Sequence, residues 1–169
     1  MYKRILVPLD GSDAARRGLE EAIKLAKVLG ARIRLVNVAK ELSGIPADLV
    51  GIDSEGIVED LRRNGEAILS QALKRAQAEA VDADSRLFET SRVGQSAGPE
   101  ILRCAEEWPA DLIVCGTHGR RGIRRILTGS DAEFIARHSA APVLLIRAQT
   151  PAAQGTPPRL LRRRAGASR

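Results

Sequence analysis

Aromatic side chains are almost absent: two Phe, one Trp and one Tyr make up 2% of the chain. A core with so few rings must be built from Leu, Ile, Val and Ala, and hydrophobic residues at 44% supply enough of them. Thiols and imidazoles are scarce too, with Cys104, Cys115, His118 and His138 the full set. That argues against a disulfide scaffold and for a reducing compartment. It also leaves too few ligands for a Cys/His metal centre. Cys115 lies in an apolar run and reads as a small buried residue. No apolar run approaches the roughly 20 residues that span a bilayer. Residues 1–10 turn polar too soon for a signal peptide. The expected location is cytoplasmic, with no membrane partner.

The length of 169 residues suits one domain. The net charge of +6 invites a nucleic-acid reading, but its placement argues against a specific one. From Pro151 onward stand Arg159, Arg162, Arg163, Arg164 and Arg169, and no acid, so most of the excess belongs to this tail. Its Pro, Ala, Gly and Arg content is too poor in apolar residues to order it. The expected organisation is a folded domain over 1–148 and a basic tail over 149–169.

Lys3 to Leu9 (KRILVPL) reads as a buried strand. The turn cluster Asp10-Gly11-Ser12-Asp13 stops it, and Ser12 or Asp13 can cap the next helix. In that helix Leu19, Ala22, Ile23, Ala26 and Leu29 recur at three- and four-residue steps until Gly30. Arg32 to Val38 is a second strand, and residues 40–56 read as a loop. Ile57, Leu61, Ile68, Ala72 and Ala76 mark a long amphipathic helix, which Asn64 and Gly65 should weaken in the middle. Ser85 to Val93 is a third strand, less apolar and so expected at a sheet edge. Gly98 and Pro99 open a helix running to about Trp108. Asp111 to Cys115 is the fourth strand. A glycine-rich loop leads to a helix from Ser130 to His138, and Pro142 to Arg147 is the fifth strand.

Strand–helix alternation of this kind predicts an α/β fold: a doubly wound parallel sheet with right-handed crossovers and helices on both faces. Such sheets bind ligands beyond the carboxyl ends of their strands. Asp10, Val38 and Gly116 fall at those ends.

The segment from Gly116 to Ser130 has the chemistry of an anion site. Glycines let backbone approach a ligand closely. Gly129 and Ser130 stand at a helix start, where free N–H groups and the helix dipole favour phosphate. The Ser130 hydroxyl adds a donor, and Arg120, Arg121, Arg124 and Arg125 raise the local positive potential. A plain turn with Ser130 as helix cap accounts for the same residues, and on residues alone both readings stay open. His138, near a helix end, is expected to serve the dipole.

The spacing Gly116-x2-Gly119-x9-Gly129-Ser130 resembles the ATP-binding signature G-x2-G-x9-G-[S/T] of universal stress proteins. The opening ILVPLDGS, the DLIVCGTHG strand and loop and the closing APVLLIR are similar to that family as well. The resemblance covers residues 1 to about 148. It implies five parallel strands in the order 3-2-1-4-5 and ATP as ligand, alone or with Mg²⁺. It implies that Pro8 and Asp10 lie beside the adenosine and that Val38 meets the adenine. Gly116, Gly119, Gly129 and Ser130 match the ribose and phosphate contacts, and Thr117, His118 and Arg120 line the same loop. It further implies a homodimer paired along Val143 to Ile146, with ATP occupancy read by a regulatory partner during stress.

One residue departs from the pattern. Many members carry an apolar residue after the Gly-Ser pair, and this chain has Asp131. Its carboxylate can repel phosphate, help hold Mg²⁺ against the phosphates, or favour the start of its own helix, and the helix role ranks first.

Two enzyme-like readings compete. A slow ATPase, or an enzyme that autophosphorylates at Ser130, shares the fold. The related ATP-pyrophosphatases need an SGGxDS-like loop after the first strand, where this chain has Asp10-Gly11-Ser12-Asp13. No Ser-His-Asp set or paired acids at catalytic spacing stands out, so no catalytic residue is assigned. A phosphoacceptor receiver domain would want an Asp at the end of the third strand, and Val93-Gly94 supplies none.

Overall fold

The computed structural model describes residues 1–40, 54–90, 96–117 and 130–147. The described elements alternate without exception. They are β1 (Arg4–Pro8), α1 (Asp13–Leu29), β2 (Arg32–Lys40), α2 (Ser54–Ala78), β3 (Ala83–Thr90), α3 (Gly98–Glu107), β4 (Leu112–Gly116), α4 (Ser130–His138) and β5 (Val143–Ile146). The five strands form one sheet in the order β3-β2-β1-β4-β5, and every pairing is parallel.

The alternation of side chains along each strand builds two cores. Ile5 and Val7 of β1, Leu35 of β2 and Val114 of β4 pack with α1 and α2. Leu6, Val36 and Ile113 face the other way, against Phe88, Ile101, Cys104 and Ile135. Helices therefore cover both faces, as alternation requires. Aliphatic side chains fill this space, each fully buried one contributing about 1.5–3 kcal/mol.

The first helix starts and stops where its local chemistry says. Ser12 is its N-cap and accepts from the Ala15 N–H at 3.1 Å, and Gly30 closes it in the left-handed conformation. β3 does lie at an edge. Its Asp84, Arg86 and Glu89 put charge along that edge, which discourages pairing with another chain.

Three elements differ from the sequence reading by two residues or more at an end. β2 continues to Lys40, because after its pairing with β1 ends at Val36 it goes on pairing with β3 as far as Lys40↔Thr90. β3 correspondingly starts at Ala83 and ends at Thr90, with residues 91–95 outside the described ones. α2 begins at Ser54 and runs unbroken for 25 residues through Asn64 and Gly65. Arg62 pairs with Glu59 and Glu66, and Arg63 with Glu59, at the helical spacings that support its first half.

A charged brace joins α1 to α2. Glu79, just past α2, accepts from Lys27 Nζ at 2.6 Å and from Arg75 Nη1 at 2.8 Å. The two cations, Lys27 first, hold its carboxyl down at about 2. Arg75 also grips both carboxylate oxygens of Glu20, at 2.8 Å each, and its guanidinium is held charged by these bonds.

Candidate functional site

The carboxyl ends of β1, β2 and β4 form adjoining parts of one sheet edge. Where β1 ends, the chain stays fastened to β2: Leu9 N–H donates to the Val36 carbonyl at 2.7 Å. The buried Asn37 side chain donates back to the Leu9 carbonyl at 2.6 Å. The next residue, Asp10, is exposed, and its Oδ1 accepts from the Ser12 N–H at 2.9 Å. That bond orients the carboxylate and shapes the turn into α1. Pro8 and Val38 are half-buried at the ends of their strands, and Val38 packs on the core beneath α3 and α4.

β4 meets α1 at contact distance. A Cβ built on Gly116 would lie 2.6 Å from the Ala14 carbonyl carbon and 2.7 Å from the Ala15 nitrogen. Real side chains do not approach backbone so closely, so only glycine fits here. The missing side chain of Gly116 is thus required by helix packing, before any ligand is considered. Thr117 is buried, and its N–H donates to the Ile146 carbonyl at 2.9 Å, which carries the β4–β5 pairing one residue further. Cys115 is buried just before it; burial pushes its thiol up to about 12, so it stays protonated and serves as packing. Burial likewise raises the Cys104 thiol.

Ser130 is the first residue of α4 and is exposed. Asp131 beside it reaches across to α3: its Oδ1 accepts from the Ser96 hydroxyl at 2.6 Å and from the Ala97 N–H at 2.7 Å. The Ser96 Oγ in turn accepts from the Gly98 N–H at 3.1 Å. Two donors at the start of α3 are therefore satisfied by the protein's own oxygens. His138 places Nδ1 2.8 Å from the Phe134 carbonyl and stacks on the Phe134 ring at 4.3 Å, which accounts for it within the last turn of α4.

Pro8, Asp10, Val38, Gly116 and Thr117 thus share one sheet edge, while Ser130 and Asp131 open the helix whose first turn is tied to α3. His118, Gly119, Arg120 and Gly129 lie outside the described residues.

The sequence profile of the Universal stress protein family matches residues 1–147. The chain belongs to the universal stress protein family. A universal stress protein of Methanocaldococcus jannaschii is 34% identical over 151 residues, covering 87% of this chain and 83% of that protein. A solved structure from the same family in Burkholderia pseudomallei is 34% identical, with a TM-score of 0.68, covering 86% of this chain and 96% of that one. A universal stress protein from Archaeoglobus fulgidus, solved in complex with dAMP, is 26% identical with a TM-score of 0.59, over 86% of this chain and 98% of that one.

In this universal stress protein the sequence reading missed Asn37, Ala14 and Ser96. Asn37 carried a signal, as the uncharged polar residue inside the run RIRLVNV. Ala14 and Ser96 carried none, because their importance lies in what meets them from distant parts of the chain. Among the described residues no helix is long and apolar enough to cross a membrane. No group of three or more His, Cys, Asp or Glu among them could hold a metal ion.

Proposed function

We propose that this universal stress protein is a cytoplasmic, ATP-binding regulator that works as a homodimer. The observation that carries the reading is the placement of the glycine signature. Its first glycine, Gly116, is the last residue of β4, and its serine, Ser130, is the first residue of α4. A segment that leaves a strand and enters a helix at the carboxyl edge of a parallel sheet is where such folds bind nucleotides. The dAMP complex of the Archaeoglobus fulgidus relative supports an adenine nucleotide as the ligand class.

The described residues fit that ligand. Asp10 offers an exposed carboxylate, oriented by Ser12, to accept from a sugar hydroxyl. Half-buried Pro8 and Val38 offer apolar surface to the base. Ser130 offers an exposed hydroxyl and a helix start to a phosphate. In the proposal Gly116, Thr117, His118, Gly119, Arg120 and Gly129 line the ribose and phosphates, and any Mg²⁺ arrives with the triphosphate.

The dimer joins along β5. This strand ends the sheet, and its Leu144 and Leu145 are each 37% exposed, an apolar edge that a second copy would cover. ATP occupancy then alters a surface that a partner protein reads.

Denaturing freshly purified protein and identifying the released nucleotide by mass spectrometry tests the ligand. ATP is the expected product. Protein that releases no nucleotide and gives no calorimetric heat with millimolar ATP overturns the reading.

A further inference from the structure

We infer that Asp131 is a positioning residue for the phosphate end of the site, acting as a latch that fixes the start of α4 against α3. The inference rests on the ATP reading above. It departs from the roles a carboxylate beside phosphate would suggest, namely repulsion or a share in binding Mg²⁺.

The geometry is specific. Asp131 Oδ1 takes two donors at once, the Ser96 hydroxyl at 2.6 Å and the Ala97 N–H at 2.7 Å. Ala97 is buried, so its N–H needs an acceptor within the protein. Ser96 is itself held by accepting from the Gly98 N–H at 3.1 Å. The carboxylate thus sits in a network that ties the first turn of α4 to the start of α3, 35 residues away in sequence. Ser130 precedes Asp131 directly, so the latch sets where the Ser130 hydroxyl and the first N–H groups of α4 stand. Elsewhere at the site the β1 end is fastened by Asn37 and the β4 end by Ala14 and Ile146. α4 is held further along by Phe134 against Gly98 and by buried Ile135, and at its first turn by Asp131.

Three variants of the full chain separate this role from the others: Asp131→Ala, Asp131→Asn and Ser96→Ala. Each is titrated by calorimetry with ATP and with adenosine, in Mg²⁺ and in EDTA, after thermal unfolding confirms that it is folded. Asp131→Ala removes the acceptor and should lose about tenfold in ATP affinity, the scale of a hydrogen bond to a charged group. Its adenosine affinity should be unchanged, since adenosine does not reach α4; a general loss of structure would weaken both. Asp131→Asn keeps an oxygen for both donors and should bind ATP like the parent, with or without Mg²⁺. Ser96→Ala should show a smaller, ATP-selective loss.

Tighter ATP binding by Asp131→Asn would assign the carboxylate to repulsion and overturn the latch. A loss in Asp131→Asn confined to Mg²⁺ would assign it to the metal and overturn the latch as well. Parent-like ATP binding by a folded Asp131→Ala protein, or an equal loss for adenosine, overturns it while leaving the ATP reading standing. A parent protein that binds no adenine nucleotide overturns both. If Asp131→Ala does not fold, Asp131→Asn and Ser96→Ala decide, and an Asp131→Asn protein as weak as Ser96→Ala or weaker refutes the inference.

Discussion

A Cβ on Gly65 would lie 2.7 Å from Oδ1 of Asn37. The same atom would stand 2.7 Å from Cδ1 of Leu87. Midway along α2, then, the helix backbone rests directly on β2 and β3. Asn37 is buried there and holds the Leu9 carbonyl, one residue before Asp10. The glycine that should weaken the helix is what allows the helix to sit so close to the sheet.

Gly65→Ala is therefore expected to destabilise the protein. In an exposed helix interior the same change would stabilise by about 1 kcal/mol. Here the added methyl overpacks a closed contact, at a cost of about 1–3 kcal/mol, so the net sign reverses. Urea unfolding of the parent and the variant checks it. A higher midpoint in the variant would mean that α2 can lift from Asn37 freely.

At the nucleotide, the adenosine and phosphate ends should respond differently. Asp10→Ala is expected to weaken both ATP and adenosine. Ser130→Ala should cost ATP about 1 kcal/mol, the net worth of one hydrogen bond, and leave adenosine untouched. Gly129→Val should abolish ATP binding without unfolding the chain, because a side chain would take the ligand's space. Calorimetry with ATP, AMP and adenosine measures all three. ATP bound as tightly by Gly129→Val as by the parent would reduce the glycine signature to a turn.

Assembly should depend on the β5 edge. Leu145→Lys places a charge on a strand whose exposed leucines are its apolar surface. Light scattering is expected to give a dimer for the parent and a monomer for the variant. A parent that runs as a monomer at working concentrations refutes pairing through β5.

The brace between α1 and α2 should make stability depend on acid. The Glu79 carboxyl, ordinarily near 4.5, is held at about 2 in the folded chain by Lys27 and Arg75. A group with a depressed folded value stabilises fully above its unfolded value and loses that contribution as pH falls through the folded one. Thermal unfolding of Glu79→Gln should thus show a lower midpoint than the parent at pH 7. The gap should close as the pH is lowered through that window, from 4.5 towards 2. A gap of constant size across the range would show that the brace does not work through this charge.

Much of the architecture was readable from residues close together in the chain. Apolar runs separated by turn clusters marked all five strands, and three- and four-residue spacing marked the helices. Ser12 and Gly30 announced the ends of α1 because caps act on N–H and carbonyl groups within one turn. The glycine signature was visible for the same reason, and its two ends fell at a strand end and a helix start. What those local signals left open was decided by contacts between distant segments. Gly116 reads as a ligand contact, and only the fold shows that Ala14 against it also demands a glycine there. Gly65 reads as a weakness until Asn37 is seen beneath it. Asp131 reads first as a favourable charge at the start of its own helix, until Ser96 and Ala97 of a distant segment are found donating to it. Periodicity and turn chemistry are properties of neighbouring residues, but the room left for a Cβ and the partner of a carboxylate exist only once the sheet has brought remote segments to within 3 Å of one another.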